Sequence, residues 1–385
     1  MKHVVITIFL IFLIFSIFSL SFYFYRTDTS GVSFTNKKDS HEFLMLLKKL
    51  EIDDYVVRVN NNFVIKSYFA KLLMPDYNTL DLRKKMKVYN ITNNITKDDD
   101  DYNLTVEILL CLLNAPVLFT FDSFDDFIDM IDSRKIIVKY GYLAHVKFDT
   151  GKDIKVNVDY FQYNDKDVIL LENKSLLEGI KKSIIPKDKL YNYSCQRITE
   201  FLLLLGLLEV NRNKPIYQQI ESIWRRKAIK SELFQDTFLY EYGTKENPIP
   251  MKYYIPGDRI WLKNPDDKSS DIVGYEGTWV VYLNDGLFCD FWKDGGDVSH
   301  QHTLEDIIIT IYNWRHSIIE SSIDESSIDD KFVQQLNKNI NNNPNTKNNI
   351  IKSMSKYYAD GGCMDKTRDT FLSSLKIREN LTKIK

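Results

Sequence analysis

The chain has 385 residues, of which 44% are hydrophobic and 27% are charged. This composition is typical of a globular protein and excludes a wholly disordered, collagen-like or all-membrane chain. The 51 basic and 53 acidic side chains give a net charge of −2, so there is no basic surplus and we expect no nucleic-acid partner. Four cysteines are too few for a disulfide scaffold, and no phosphate-binding or zinc-binding motif is present, so we expect no cofactor and no metal.

An uncharged apolar segment lies at the N-terminus. Residues 4–25 follow Lys2 and precede Arg26, and as a helix they would span a hydrocarbon core of ~30 Å. The alternative is a signal peptide cleaved after the small residues near Ser21. We therefore predict a single-pass membrane protein that contacts the membrane through residues 4–25, or a secretory-pathway or extracellular protein if the segment is removed.

The side of the membrane on which the main body lies is indicated by two opposing signals. Basic residues after the apolar segment favour a cytoplasmic body, whereas six N-x-[ST] sequences favour a lumenal or extracellular one, which we prefer. The candidate glycosylation sites are Asn90, Asn94, Asn103, Asn173, Asn192 and Asn380.

The chain divides by composition into five segments. Residues 1–30 hold the anchor or signal, residues 31–105 a spacer and N-terminal region, and residues 106–316 a packed domain. Repeated Ser-Ser-Ile-Asp and an Asn-rich run predict a low-complexity, disordered linker over residues 317–349, followed by a tail at residues 350–385.

Hydrophobic spacing predicts helices and strands in chain order. Alternation and turn residues predict strands over residues 135–159. The acidic run at residues 98–101 favours a solvated loop over a cation site. Apolar residues at helical spacing predict helices over residues 43–50, 124–131, 176–185, 193–210 and 216–239.

Residues 253–316 carry the clearest local signals. Strands are predicted over residues 259–262, 278–283 and 287–292, with Asn-Asp-Gly as the hairpin turn between the last two. An amphipathic helix follows over residues 304–314, where Thr303 and Asp306 have the spacing of a capping box.

Cys195 is the candidate nucleophile. Ser194 is a favourable N-cap, so Cys195 would lie in the first turn of the apolar helix, where the helix dipole and free N–H groups stabilise a thiolate. Papain-like cysteine enzymes hold their nucleophile in this way. The alternatives are a buried structural cysteine or one half of a disulfide, with Cys289 as the partner that a papain-like architecture would bring to face this helix.

Three blocks resemble the bacterial protein-glutamine gamma-glutamyltransferases of the spore-coat type. They are residues 168–195, residues 255–265 with their Gly-Asp and Lys-Asn-Pro elements, and residues 277–283 followed by the hairpin and helix. The resemblance covers about residues 120–316. It implies an α+β, papain-like fold, with a cysteine-bearing helix packed on an antiparallel sheet and here preceded by an N-terminal hydrophobic helix. It also implies exchange of a glutamine amide for a lysine amine at Cys195.

The chain departs from the family pattern at two catalytic positions. Thr278 replaces the family's Glu, and Phe291-Trp292 replaces its His-Gly pair. His300 or His302 as a relocated base and Glu276 as its orienting group are candidate replacements. We expect a catalytically degenerate transglutaminase-like domain with a binding or structural role, its partners being protein substrates or ligands. The alternative is a cysteine acyltransferase that forms Gln–Lys isopeptide bonds, or an amidase.

Overall fold

The computed structural model describes residues 30–74, 78–89, 100–149, 154–164, 167–226, 231–242, 250–291, 300–320, 327–358 and 368–372. It contains two compact units, with the boundary in the sequence after Phe127. The apolar segment at residues 4–25 lies outside the described residues, so the predicted N-terminal helix does too. Within the described ranges, no helix is both long enough and apolar enough to cross a membrane.

Among the described residues, the first unit contains a four-stranded sheet and four complete α-helices. The strands are β1 (Gly31–Phe34), β2 (Val56–Val59), β3 (Asn62–Ile65) and β4 (Leu118–Phe121), in the order β2-β3-β1-β4. The helices are α1 (Lys37–Lys49), α2 (Ser67–Leu73), α3 (Leu82–Tyr89) and α4 (Asp100–Asn114). β1 pairs antiparallel with β3 and parallel with β4.

Aromatic side chains form the core of this unit. The ring of Phe43, on α1, lies 5.1 Å from that of Phe127 and 5.0 Å from that of Phe63, both with edge-to-face geometry. Phe34 and Phe121 complete the cluster. Edge-to-face packing is the arrangement that buried aromatic rings prefer. Helix α1 confirms the helix predicted over residues 43–50.

Nine described helices belong to the rest of the chain. The first, α5, begins within the first unit and continues into the second. They are α5 (Phe124–Leu143), α6 (Leu176–Ile184), α7 (Cys195–Val210), α8 (Pro215–Arg226), α9 (Ser231–Phe238), α10 (Asp267–Ser270), α11 (Leu304–Trp314), α12 (Asp330–Asn341) and α13 (Pro344–Tyr358).

The part of the second unit that the structure describes has three small strand pairs and one larger antiparallel sheet. The pairs are β5 (Lys147–Phe148) with β8 (Asn192–Tyr193), β6 (Phe161–Asn164) with β7 (Asp167–Leu170), and β14 (Ile318–Ile319) with β15 (Ser327–Ile328). The larger sheet has the order β13-β12-β11-β10-β16-β9. Its strands are β9 (Leu239–Tyr242), β10 (Arg259–Lys263), β11 (Gly277–Asn284), β12 (Leu287–Asp290), β13 (Gln301–Thr303) and β16 (Arg368–Leu372).

Helix α7 is buried along nearly its whole length. Its sequence is apolar on every face over residues 201–208, and the helix contacts both α6 and strand β11. At Gly206 an added Cβ would lie 2.7 Å from the Ser133 carbonyl oxygen, so α5 and α7 approach closely there. The cysteine-bearing helix therefore packs on an antiparallel sheet, and the α+β class expected from the sequence is confirmed.

The hairpin between β11 and β12 has the predicted turn. Asp285 and Gly286 have φ angles of +52° and +76°, as a two-residue hairpin turn requires. Beyond the turn, Val280 is opposite Asp290 and Val281 is opposite Cys289. The predicted capping box of α11 is also present, since Thr303 and Asp306 bond each other's backbone N–H groups.

The strands predicted over residues 135–143 are wrong, because α5 continues to Leu143. Buried side chains recur at helical spacing from Phe127 through Arg134 to Val138, and this overrides the local alternation. Gly141 is not a turn residue. It lies where the helix passes the side chains of Leu283 and Cys289.

The disordered linker predicted over residues 317–349 is also not observed where the chain is described. Helices α12 and α13 occupy residues 330–358 and pack on α11 and on each other. Asp329 caps α12 by accepting from the N–H groups of Lys331 and Phe332. A few apolar residues at helical spacing are buried in this Asn-rich segment: Val333, Ile340, Ile350, Met354 and Tyr358. The prediction was based on the Asn-rich composition of the segment, which does not show this helical spacing.

Candidate active site

Cys195 is the first residue of α7, as predicted. Ser194 has extended backbone angles, and its hydroxyl accepts the N–H of Arg197 at 3.3 Å, so it is the N-cap. The backbone N–H groups of Trp279 and Gln196 donate to the Cys195 sulfur. The helix thus places the sulfur against strand β11 and within reach of two amide donors.

Burial dominates the chemistry of this thiol. Only 8% of Cys195 is exposed, and this desolvation raises its pKa to about 11. The negative charge of Asp290 also raises the pKa, whereas the two amide hydrogen bonds and the Arg259 charge lower it. The lowered pKa expected from the helix N-terminus is therefore wrong, because burial outweighs the dipole, and Cys195 is a neutral thiol at pH 7.

Thr278 and Asp290 form a buried pair beside this cysteine. The Thr278 hydroxyl donates to the Asp290 carboxylate at 2.8 Å, and the two residues are 1% and 4% exposed. Thr278 directly precedes Trp279, whose N–H reaches the Cys195 sulfur. Thr278 occupies the position of the family's Glu. The Asp290 carboxylate on β12 therefore contacts the residue that replaces the family's carboxylate.

Asp290 is not among the site residues predicted from the sequence. The register of the hairpin explains this. Because Asp290 lies opposite Val280, it shares a face of the sheet with Thr278, two residues along the strand. Counting outward from the Asn-Asp-Gly turn would have placed Asp290 opposite Val281 and away from Thr278, because a bulge between Tyr282 and Asn284 shifts the register by one residue.

Arg259 is a second buried charge near the site. Its guanidinium lies 3.8 Å from the centre of the Trp279 ring, and its Nε donates to the Thr199 hydroxyl at 3.0 Å. The Glu200 carboxylate is 3.9 Å from the same guanidinium and 2.8 Å from that of Arg197. A positive charge is therefore fixed between β10 and the first turns of α7.

Glu276 does not lie beside Thr278. Strand β11 begins at Gly277, and Glu276 is exposed, with both carboxylate oxygens accepting the N–H of Gly274 at 3.0 and 3.1 Å. Gly277 has a φ of +153°, and an added Cβ would lie 2.4 Å from the Leu262 carbonyl oxygen. The regular alternation stops at this glycine, so Glu276 lies outside β11, and its role as an orienting group remains a prediction.

The structure places His300 and His302 at and near the start of β13. His300 is buried, with Nε2 3.0 Å from the Val146 carbonyl oxygen and its ring 4.9 Å from that of Phe291. His302 lies opposite Phe288 in the β12–β13 pair. Phe291 is itself buried, and Trp292 lies outside the described residues. A relocated histidine base remains a prediction.

The alternative disulfide between Cys195 and Cys289 is absent, since both residues are free thiols. The Cys289 S–H donates to the Gly141 carbonyl oxygen on α5 at 3.2 Å. Cys289 neighbours Asp290 on β12 and points to the opposite face of the sheet.

The candidate glycosylation sites differ in accessibility. Asn173 is exposed, in a turn with a φ of +60°. Asn192 is half-buried in β8, three residues before Cys195, and Asn103 is buried within α4. The remaining candidates lie outside the described residues: Asn90, Asn94 and Asn380.

Comparison with known proteins identifies a family. A family model described as protein-glutamine gamma-glutamyltransferase matches residues 84–379. Among solved structures, the chain is similar to a transglutaminase from Geobacillus stearothermophilus without its C-terminal extension. The identity is 15%, the match covers 55% of this chain and 97% of that one, and the TM-score is 0.39. No curated protein sequence matches. The family match confirms the resemblance found in the sequence.

Proposed function

The chain belongs to the protein-glutamine gamma-glutamyltransferase family, and on that premise we propose that it transfers glutamine acyl groups through Cys195. The observation that carries the proposal is the position of Cys195. It begins a buried helix against β11, and two backbone N–H groups donate to its sulfur. Such donors stabilise negative charge on the sulfur when the thiol loses its proton.

The reaction follows from this placement. The Cys195 thiol gives up its proton, and the sulfur attacks the carbonyl carbon of a glutamine side chain. The carbon–nitrogen bond breaks, ammonia leaves with the proton, and a thioester remains on Cys195. A lysine amine then attacks the thioester, the carbon–sulfur bond breaks, and an isopeptide is released. Attack by water instead of the amine would give a hydrolysed amide. We also propose that the domain has the papain-like architecture that the resemblance implies.

The test is incorporation of dansyl-cadaverine into dimethylcasein. We expect the wild-type chain to attach the amine and release one ammonia for each amine attached. Cys195→Ser should abolish both. Cys289→Ser is the matched control, because Cys289 is also buried but points to the other face of the sheet, and this variant should remain active.

A catalytically degenerate domain is the second candidate, and one specific observation favours it. Phe291 occupies the family's His position and is fully buried against His300, so no base lies at that point of the strand. Absence of amine incorporation by a folded wild-type chain, with any glutamine donor, would overturn the acyl-transfer proposal and support this one.

We also propose that residues 4–25 attach the chain to a membrane. The proposal rests on their length and on the absence of charge between Lys2 and Arg26. Expressed in eukaryotic cells, the full chain should resist extraction by alkaline carbonate and keep its N-terminal methionine. A mature N-terminus just after Ser21 would instead identify a cleaved signal, and release by carbonate with an intact N-terminus would contradict both. A mass shift after glycosidase treatment would place the body in the lumen.

A further inference from the structure

We propose that Asp290 is the proton acceptor for Cys195 and acts together with the Thr278 hydroxyl that it binds. In this chain Asp290 would thus replace the carboxylate missing at position 278. The inference rests on the proposed acyl transfer and adds to it a residue that the family pattern does not provide.

Three adjacent residues, Trp279, Thr278 and Asp290, connect the Cys195 sulfur to a carboxylate. Trp279 donates its N–H to the Cys195 sulfur, and Thr278 is its neighbour on β11. Thr278 in turn donates its hydroxyl to Asp290 at 2.8 Å. Asp290 therefore supplies the carboxylate at the end of this series of contacts. Its negative charge is near enough to raise the pKa of the Cys195 thiol.

Relative to the family pattern, the carboxylate lies on the neighbouring strand of the hairpin, on β12 instead of β11. The family pattern places a carboxylate on β11 at the position of Thr278. In this chain β11 carries a hydroxyl there, and the carboxylate is on β12 at the other end of one hydrogen bond. This change of strand shifts the acid by one side-chain pair within the same hairpin, because residues 278 and 290 share a face.

Burial supports an acid–base role over a purely structural one. Thr278 and Asp290 are almost inaccessible to solvent, so a proton passed between Cys195 and Asp290 would stay within the site. Arg259, fixed against Trp279, attracts the thiolate that the transfer creates. Proton transfer from Cys195 requires a negatively charged acceptor, here Asp290, and is favoured by a positive charge near the sulfur, here Arg259.

The step balances without a further reactant. The Cys195 S–H bond breaks, its proton passes to the Asp290 carboxylate, and its electron pair stays on sulfur, which attacks the glutamine carbonyl carbon. As the carbon–nitrogen bond breaks, Asp290 returns the proton to the leaving ammonia. In the second half Asp290 takes a proton from the attacking amine and gives it to the sulfur as the carbon–sulfur bond breaks.

The test compares Asp290→Asn with wild type in two assays. Asparagine keeps the size of the side chain and can still accept the Thr278 hydrogen bond, but it cannot take a proton. Amine incorporation should fall about 100-fold or more, the usual contribution of a general base. Alkylation of Cys195 by iodoacetamide at fixed pH should become faster, because a negative charge that opposes the thiolate is gone.

Opposite shifts in the two assays distinguish a base from a structural residue. Loss of packing would lower amine incorporation without this selective change at Cys195, and Cys289, which also neighbours Asp290, would be exposed to alkylation too. Asp271→Asn is the matched control, because it neutralises an exposed carboxylate six residues before β11 and should change neither rate. Amine incorporation that stays within threefold of wild type in Asp290→Asn, or alkylation that is no faster, overturns the proposal.

A double variant covers the case in which Asp290→Asn does not fold. Thr278→Glu combined with Asp290→Ser moves the carboxylate back to β11 and keeps a hydroxyl opposite it. We expect this variant to regain at least a tenth of wild-type amine incorporation. A folded but inactive double variant overturns the proposal. If the wild-type chain shows no amine incorporation, both the proposed function and the base role of Asp290 are overturned. Faster alkylation of Cys195 in Asp290→Asn would then show only that the Asp290 charge acts on the Cys195 thiol.

Discussion

Arg134 and Asp258 form a buried ion pair in which the guanidinium lies 2.8 Å from the carboxylate. Arg134 also donates to the Pro256 carbonyl oxygen at 2.8 Å, and the second Asp258 oxygen accepts the N–H of Ile255. Gly257 lies between these groups, with a φ of +89°. The Gly-Asp element that marks the family in the sequence therefore fastens the turn before β10 to helix α5.

Removing one partner of this pair should destabilise the protein strongly. We expect Asp258→Ala to lower the free energy of unfolding by about 3–5 kcal/mol, because it leaves the Arg134 charge buried and uncompensated. The measurement is chemical denaturation followed by circular dichroism. Arg212→Ala is the control, since it breaks an Arg212–Glu178 pair at 3.6 Å that is about half exposed, and it should cost less than about 1 kcal/mol. Equal losses in the two variants would contradict a structural role for the motif.

Local signals were sufficient to predict the elements that position the nucleophile. Ser194 before an apolar run identified the start of α7, and Thr303 with Asp306 identified that of α11. These features depend on residues within one turn of each other. The contact between Thr278 and Asp290 depends instead on which strand residues face each other, and the low pKa expected for Cys195 failed because burial cannot be read from one helix end.

Alkylation should show the raised pKa of Cys195. With a pKa of about 11 in place of 9.0, the thiolate fraction at pH 8 is about 100-fold lower than that of an ordinary cysteine. We expect iodoacetamide to label native Cys195 at least about 100-fold more slowly than the same residue in denaturant. The labelling rate should then rise about tenfold for each pH unit up to pH 10. Peptide mapping by mass spectrometry gives the rate at each cysteine, and a native rate within tenfold of the unfolded one would contradict the prediction.

Stability should decrease at alkaline pH. Burial raises the pKa of Cys195 to about 11 and that of Tyr193 from 10.0 to about 12, and it also raises the pKa of Tyr275. The folded state therefore holds these protons more tightly than the unfolded state. Their contribution is fully present below about pH 9 and is lost progressively as the pH rises from 9 to 12. Denaturation curves measured between pH 8 and pH 11 should show a falling free energy of unfolding.

Tyr193→Phe isolates one part of this alkaline loss. The variant should be about 1 kcal/mol less stable at pH 8, because the Asn157 N–H loses its hydrogen bond to the phenol oxygen. Between pH 8 and pH 11 the wild type should lose about 1 kcal/mol more than the variant, since only the wild type has this phenol to ionise. Identical pH profiles would mean that Tyr193 does not contribute.

The crossing of α5 and α7 gives a last test, with two helical glycines as a matched pair. At Gly206 an added methyl group would meet the Ser133 backbone carbonyl at 2.7 Å, which cannot move without shifting α5. At Gly141 the nearest atom, at 2.5 Å, is a terminal methyl of the Leu283 side chain, which can rotate away. Alanine gains about 1 kcal/mol over glycine in a helix, and overpacking costs about 1–3 kcal/mol. Because a backbone atom must shift at Gly206, we expect the overpacking cost there to be at the upper end of this range, so Gly206→Ala should lower the unfolding free energy by about 2 kcal/mol net. Gly141→Ala should leave it unchanged or slightly raised. Equal stability of the two variants would show that α5 can move away from α7 without loss.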